Sequence, residues 1–291
     1  MKFYTLPAED EIIKIIQQAS ESLNVQAYLV GGFVRDRLLG RICKDIDIVC
    51  LGNGIQLAEM VSSLIKNHPK VTVYHRFGTA MLRYNDLELE FVGARKESYS
   101  EDSRKPFVES GSLEEDQYRR YFTINALAVS LQKDDYGLLL DPFSGLKHLE
   151  EKIIQTPLDP DRTFSDDPLR MMRAIRFASQ LHFEIHPETL NSIANNCKRI
   201  EIVSRERIII ELEKILLSNK PSMGLDLLYK TGLLSYILPE LVDLRGVEYI
   251  DGKGHKDNFY HTLEVIDNLR QHTNDIWLIW AAVFHDIAKP A

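Results

Sequence analysis

Two carboxylates, Asp45 and Asp47, stand two residues apart in a short apolar segment. Alternate residues of a strand leave the same face, so their Cα atoms are expected ~7 Å apart on one side of a sheet. Carboxylate oxygens so placed can share two Mg²⁺ ions, which clamp the attacking and leaving oxygens of phosphoryl or nucleotidyl transfer. The alternative interpretation is an ordinary solvated strand face.

A glycine pair, Gly31-Gly32, lies between a predicted strand and a predicted helix, ahead of the carboxylates. Backbone N–H groups at such a turn and at a helix N-terminus can hold a polyphosphate, and Arg35 adds positive charge. Asp36 has a simpler interpretation as a first-turn acid that favours the helix dipole. The combined pattern, G-G-F-V-R-D-R-L-L-G followed by D-I-D, indicates a phosphate site beside a metal site.

The elements that must position these residues mix helix and strand in the first half of the chain. Periodicity predicts helices over 9–23, 34–39 and 56–67, and strands over 26–30, 45–51, 71–74, 79–84 and 87–92. The polar segment 94–112 is predicted to be a loop.

Beyond Pro142 strand signals vanish and helical periodicity repeats. Helices are predicted over 167–181, 187–196, 204–217, 223–231, 260–271 and 275–288. The fold class is therefore α+β, with a mixed first domain and an all-helical body. Because a domain seldom ends directly after a strongly apolar helix, we expect the sequence to be the front portion of a longer protein.

Composition narrows the function classes. The 291 residues carry a net charge of -8 with 44% hydrophobic and 27% charged residues, which is typical of a globular protein of two domains. The longest apolar run, 276–284, falls short of the ~20 residues of a membrane span, and the acidic N-terminus does not fit a signal peptide. Three cysteines without metal-ligand spacing favour the cytoplasm. The negative charge argues against nonspecific DNA coating, whereas local basic clusters leave RNA binding open.

Five further motifs occur in order along most of the chain. They are 97–106 (E-S-Y-S-E-D-S-R-K-P), 119–126 (R-R-Y-F-T-I-N-A), 141–145 (D-P-F-S-G), 166–174 (D-D-P-L-R-M-M-R-A) and 204–208 (S-R-E-R-I). With the two segments above, they resemble the class II tRNA nucleotidyltransferases (CCA-adding enzymes) and bacterial poly(A) polymerases. The resemblance implies a polymerase-β-like palm head over 1–147, a helical neck and RNA-binding region over 148–246, and Mg²⁺ as the cofactor.

The resemblance also implies roles for particular residues. Asp45 and Asp47 would hold the metals, and Glu90 is the best match to a third catalytic acid, although Glu88 lies only two residues away. Nucleotide binding is implied for eight residues: Gly31, Gly32, Arg35, Arg120, Asn125, Asp167, Arg170 and Arg173. The length of the 97–106 loop favours complete CCA addition, since members that add only CC have it shortened.

Asp167 and Arg170 allow a physical argument about the base. Three residues apart on a helix, they share a face, with Cβ atoms ~5–6 Å apart. A carboxylate acceptor beside a guanidinium donor matches the amino and ring-nitrogen edge of cytosine and adenine, and leaves uracil and guanine unpaired. Asp167 before Pro168 is equally an N-cap. Arg173, one turn on, is predicted to contact base or phosphate, or to lie on a solvated helix face.

Three positions depart from the family pattern. Tyr121 stands where the ribose-recognition motif has Asp, so it is expected to alter sugar discrimination or the overall rate; the alternatives are that it stacks on a base or is a packed aromatic residue. Asp166 replaces the usual Glu that orients Arg170. His148 replaces an Asp after the 141–145 motif.

A second constellation of histidines lies near the end. His261 and the pair His285-Asp286 resemble the start of an HD-type phosphohydrolase domain, predicted over 247–291 and truncated before its later Asp. His255 is an additional ligand or a loop residue. The alternative is that these histidines pack between helices.

The leading hypothesis is a tRNA nucleotidyltransferase that adds C, C and A to the tRNA 3′ end from CTP and ATP without a nucleic-acid template. The alternatives are a poly(A) polymerase or a partial CC- or A-adding enzyme, an HD-domain hydrolase, and a catalytically idle tRNA-binding protein. No membrane partner is expected, and the oligomeric state stays open.

Overall fold

The computed structural model describes the backbone of residues 7–100, 103–246, 249–250, 253–254 and 257–289, and the side chains of 9–96, 108–246 and 257–289. The chain divides into two compact units, Met1–Glu151 and Lys152–Ala291. No helix within the described ranges is long and apolar enough to cross a membrane.

The first unit mixes helices and strands, as the sequence predicts. Its helices are α1 Pro7–Ser22, α2 Gly31–Leu38, α3 Gly54–Leu64, α4 Leu113–Tyr118 and α5 Gly145–Glu150. Its strands are β1 Ala27–Val30, β2 Asp45–Cys50, β3 Val71–Tyr74, β4 Thr79–Tyr84, β5 Leu87–Gly93, β6 Arg95–Ser100, β7 Ser103–Ser110, β8 Ala128–Ser130 and β9 Leu139–Leu140.

Seven of these strands form one sheet in the order β3-β4-β5-β2-β1-β8-β9. Strands β2 and β5 at its centre are parallel, whereas β1 runs antiparallel to β2. Ile46 and Ile48 of β2 are fully buried, and helices α1 and α3 contact the sheet and each other. Asp45 and Asp47 alternate with these isoleucines and therefore leave the opposite face.

The segment predicted as a loop over 94–112 is a β-hairpin instead. Strands β6 and β7 pair antiparallel, with Arg95 opposite Ser110. The prediction was wrong because this hairpin is polar and lacks the apolar alternation by which a half-buried strand is recognised. Residues 101–102 lie outside the described backbone.

The described part of the second unit is helical apart from two pairs of two-residue strands. Its helices are α6 Pro160–Asp166, α7 Leu169–Leu181, α8 Pro187–Asn196, α9 Arg205–Leu216, α10 Pro221–Lys230, α11 Leu234–Ile237, α12 Pro239–Val242, α13 Asn258–Arg270 and α14 Ile276–Phe284. Its strands are β10 Ile153–Ile154, β11 Glu184–Ile185, β12 Tyr249–Ile250 and β13 Lys253–Gly254. The predicted α+β fold class, a mixed head followed by a helical body, is confirmed.

Helix α13 satisfies backbone groups between α9 and α10. Asp267 accepts hydrogen bonds from the backbone N–H of Ser222 at 2.9 Å and from its hydroxyl at 2.6 Å. Arg270 donates to the carbonyl of Leu217 through Nε at 3.1 Å and Nη2 at 2.8 Å.

The proposed boundary between neck and HD-type segment at residue 246 stays a prediction.

Candidate active site

The two carboxylates and the third acid meet through the strand register. Asp47 lies directly opposite Glu90, and Asp45 opposite Glu88, across the parallel pair β2–β5. All four carboxylates line one pocket of about 380 Å³. Its other lining residues are Gly32, Phe33, Arg35, Asp36, Cys43 and Met81.

Glu88 and Glu90 differ in their partners. Glu88 forms an ion pair with Arg83, which faces it across the antiparallel pair β4–β5. Glu90 is exposed beside Asp47, which is partly buried. This difference supports Glu90 as the third acid, the role that the sequence resemblance assigned to it.

Asp47 is electrostatically unusual. Its pKa is raised to about 6, chiefly by burial; the positive charges of Arg120 and Arg35 oppose the shift, and the negative charges of Glu90 and Asp45 add to it. Three carboxylates that line one pocket repel one another, and their hard oxygen donors suit a divalent cation. Asp45, Asp47 and Glu90 therefore fit a metal site.

Gly31 brings the start of α2 against Asp47. It has a φ of +72°, and a Cβ atom there would lie 2.7 Å from Oδ2 of Asp47 and 3.1 Å from Nη1 of Arg120. Only glycine combines this conformation with such a close approach. Helix α2 thus starts at Gly31 rather than at Val34, and the glycine pair is its first turn.

Gly31→Ala is expected to lower turnover about 100-fold, because the new Cβ displaces the Asp47 carboxylate from its position. Gly40→Ala is the matched control: Gly40 has a φ of +68° but no atom within 4 Å of the added Cβ. It carries the backbone strain without the collision. Single-turnover rates and melting temperatures of both variants check this, and equal rates would contradict it.

Arg35 is buried at the first turns of α2. It forms a two-pronged ion pair with Asp36 at 2.9 and 2.8 Å, and its Nη1 donates to Oδ1 of Asn125 at 2.7 Å. Because α2 starts at Gly31, Asp36 lies beyond the first turn, so the helix-dipole interpretation was wrong. Asp36 and Asn125 instead fix the orientation of Arg35.

Asp116 was missed by sequence reasoning. It is fully buried and accepts hydrogen bonds from Arg119 at 2.9 and 2.6 Å and from Arg120 at 3.0 Å. Burial would raise its pKa, but Arg120 and Arg119 hold the pKa below its ordinary value. The i, i+3, i+4 spacing of these three residues was the available signal.

Neighbouring Tyr121 packs edge-on against Phe122, with ring centroids 5.0 Å apart.

Asp167 and Arg170 lie at the start of α7 in the second unit. Asp167 accepts a hydrogen bond from the backbone N–H of Leu169 at 3.2 Å, the contact expected of an N-cap. Arg170 is only 7% exposed and donates to the carbonyl of Thr163 at 3.3 Å. Burial raises the pKa of Asp166, and the positive charge of Arg170 opposes the shift.

Arg173, one turn along α7, pairs with Glu211 on α9 at 3.4 Å. Arg176 reaches the same carboxylate at 2.6 Å, and Glu211 is itself buried. Arg173 is therefore oriented by a neighbouring helix. Its predicted contact with base or phosphate stays a prediction.

Other motif residues have structural partners. Asp141 accepts from the backbone N–H groups of Gly145 and Leu146 at 2.6 and 2.9 Å, which closes the start of α5. His148 forms a hydrogen bond with the hydroxyl of Thr123 at 2.8 Å. The side chains of the 97–106 motif lie outside the described residues.

The structure gathers His261, His285 and Asp286, whose ligand atoms lie within 4.8 Å of one another. Nδ1 of His285 is 2.7 Å from the carbonyl of Ala282, which leaves Nε2 to face Asp286 at 3.2 Å. Nδ1 of His261 is buried without a hydrogen-bond partner among the described residues. His255 lies outside the described residues.

A mixed sheet with paired carboxylates on one face, beside a glycine-led helix, defines the nucleotidyltransferase class. A family model described as "Poly A polymerase head domain" matches residues 27–155, and one described as "Probable RNA and SrmB- binding site of polymerase A" matches 182–244. The chain belongs to the family of tRNA nucleotidyltransferases and poly(A) polymerases. Members of this class of enzyme generally use divalent metal ions.

Relatives with known activities extend the comparison. The chain is 41% identical over 217 residues to an A-adding tRNA nucleotidyltransferase of Aquifex aeolicus, and 38% identical over 247 residues to a CCA-adding enzyme of Levilactobacillus brevis. These matches cover 74% and 84% of this chain but 26% and 59% of the relatives. A solved structure named "tRNA-processing enzyme (apo form I)" superposes with a TM-score of 0.77 at 30% identity, covering 98% of this chain and 72% of that one.

Proposed function

We propose that the protein adds C, C and A to the 3′ end of tRNA from CTP and ATP, without a nucleic-acid template. The observation that carries the proposal is the register of Asp47 opposite Glu90 with Gly31 packed against Asp47, a site built for a nucleoside triphosphate and metal ions. The relatives named CCA-adding enzyme support the tRNA substrate. The free thiols Cys43, Cys50 and Cys197 are consistent with a cytoplasmic location.

Asp45, Asp47 and Glu90 would hold the metal, and Mg²⁺ suits their oxygen donors. When bound, Mg²⁺ neutralises the phosphate charge and lowers the barrier to attack by the 3′-hydroxyl. Gly31 and Gly32 offer backbone N–H groups to the triphosphate at the start of α2. Arg35 and Arg120 add fixed positive charge near Asp47. Asp36 and Asn125 hold Arg35, and Asp116 holds Arg120. Catalysis then rests on positioning and charge.

Asp167 and Arg170 would select the base. Arg170 is pre-oriented by Thr163, and its donors beside the Asp167 acceptor match cytosine and adenine. Arg173 is proposed to contact the same nucleotide. Because protein side chains would select the base, no nucleic-acid template is needed.

The test is incorporation of each labelled triphosphate, singly and together, into tRNA ending before C, CC or CCA, with Mg²⁺. Growth by C, C and A that then stops is expected. Addition of A alone would identify an A-adding enzyme like the Aquifex relative, C and C alone a CC-adding enzyme, and long A tails a poly(A) polymerase. No incorporation would contradict the proposal and favour an idle RNA-binding protein.

We further propose that His261, His285 and Asp286 bind a divalent metal in an HD-type site. Their convergence and the orientation of His285 by the Ala282 carbonyl support this. Metal content after dialysis against Mn²⁺ or Ni²⁺ tests it: His285→Ala should lose one bound ion that Asp47→Asn retains. Equal metal content in wild type and His285→Ala would contradict it.

A further inference from the structure

A second pocket of about 400 Å³ lies on strands β3 and β4, beside the carboxylates. Met81 lines both pockets, so the two adjoin. The second pocket is lined by Pro69, Lys70, Thr72, Tyr74, Met81, Leu82 and Arg83. Four of these, Lys70, Thr72, Tyr74 and Arg83, are exposed.

The strand register makes the two pockets one continuous face. Asp47 lies opposite Glu90, Glu90 opposite Met81, and Met81 opposite Thr72. Three strand spacings of ~4.8 Å place Thr72 ~14 Å from Asp47. That distance is about the length of four nucleotides stacked at ~3.4 Å each.

The geometry of the reaction determines which substrate lies on each side of the carboxylates. In phosphoryl transfer the attacking and leaving oxygens lie roughly in line through the phosphorus atom. Gly31 and Gly32 place the triphosphate on the β1 and α2 side of Asp47. The attacking hydroxyl must therefore arrive from the opposite side, over Glu90 and Met81.

The chemistry of the second pocket suits an RNA strand. Tyr74, 43% exposed, offers a ring on which a base can stack. Lys70 and Arg83 offer two positive charges to phosphates. Arg83 forms an exposed ion pair with Glu88, a kind of pair that contributes little to stability. An RNA phosphate can therefore replace Glu88 as the partner of Arg83.

We propose that this face, which we call the β3–β4 subsite, binds the last nucleotides of the RNA strand being extended. Tyr74 stacks on a base, Lys70 and Arg83 bind phosphates, and Met81 lies under the terminal nucleotide. This inference rests on the proposed nucleotidyl transfer. It assigns the acceptor, rather than the incoming triphosphate, to the outer strands of the sheet.

Steady-state kinetics separate the two substrates. Tyr74→Ala should raise KM for the acceptor RNA about tenfold, with KM for CTP or ATP within about twofold of wild type, and Tyr74→Phe should restore it. The Lys70→Ala, Arg83→Ala double variant should lessen the slope of log KM against log salt by about 1.4, the value for two phosphates on a single strand. Tyr136→Ala and Lys133→Ala, exposed between β8 and β9, are the matched controls.

The outcomes distinguish this inference from the proposed function. If wild type incorporates nucleotides and the subsite variants behave like the controls, the subsite is wrong and the function stands. If wild type incorporates nothing, the function is wrong, and photocross-linking of an RNA with 4-thiouridine at its 3′ end decides the subsite. An adduct in the peptide 69–83 supports it, and adducts elsewhere overturn it.

Discussion

Asp47→Asn is expected to abolish nucleotide incorporation, by at least about 1,000-fold, while making the metal-free protein more stable at neutral pH. The loss follows because Asp47 lies between Asp45 and Glu90 in the proposed metal site. The gain follows because its carboxylate is buried beside like charges, which raises its pKa to about 6. One substitution should therefore move activity and stability in opposite directions.

The pH dependence has a definite sign. A carboxyl group whose folded pKa lies above its ordinary value of 3.8 favours the folded state when protonated, and this benefit is lost as pH rises from 3.8 through about 6. The stability advantage of the asparagine variant should grow across that window to a maximum of about 3 kcal/mol, two pKa units at 1.36 kcal/mol each. Below a pH of 3.8 the stability advantage of the asparagine variant should vanish.

Thermal melts near pH 4 and pH 8, each with EDTA or Mg²⁺, check this prediction. Mg²⁺ should stabilise wild type but not the variant at the proposed metal site. Asp86→Asn is the control, because that side chain is 92% exposed. Retained incorporation by Asp47→Asn, or a lower melting temperature than wild type in EDTA at pH 8, would refute the role of Asp47.

Arg170→Ala is expected to reduce the preference for C over U and for A over G by at least about 100-fold. Its guanidinium is buried at the start of α7 and held by the Thr163 carbonyl, so it presents donors in a fixed direction. An unmatched base leaves such donors unpaired, which is what makes rejection strong. Arg170→Lys should not restore selection, because an ammonium group lacks the planar pair of donors.

Misincorporation is measured by primer extension with each single triphosphate, and folding is checked by circular dichroism. Arg205→Ala, at an exposed position on α9, is the control for a general loss of positive charge. If folded Arg170→Ala incorporates slowly but with unchanged selection, the base-reading role is wrong and Arg170 supports the start of α7 alone.

Much of the fold follows from local patterns. The sequence around 27–50 predicts strand, helix and strand because buried apolar runs flank the glycine pair, and α2 differs from its prediction in starting at Gly31 and ending at Leu38. The β6–β7 hairpin escaped prediction because its sequence is mostly polar and its few apolar residues do not alternate. Its existence depends on pairing between strands, which single-sequence periodicity does not report.

The candidate site was predictable where one short segment carries the chemistry. Asp45 and Asp47 share a strand face in any register, so their pairing was certain once β2 was recognised. The choice of Glu90 over Glu88 depended on which residue faces Asp47 across β2–β5, a register that local sequence does not specify. Asp116 is a buried support for two arginines, and an acidic helix start gives little sign of burial.

The two charged residues of α13 have a consequence for where the polypeptide can be divided. Asp267 and Arg270 occupy the N–H and carbonyl groups that the α9–α10 connection would otherwise present to solvent. A fragment that stops at residue 246 loses both partners, whereas one that continues past residue 273 keeps them. The smallest independently folding piece of the helical part should therefore include α13, so the border predicted at residue 246 would not be a place where the chain can be cut into separately folding pieces.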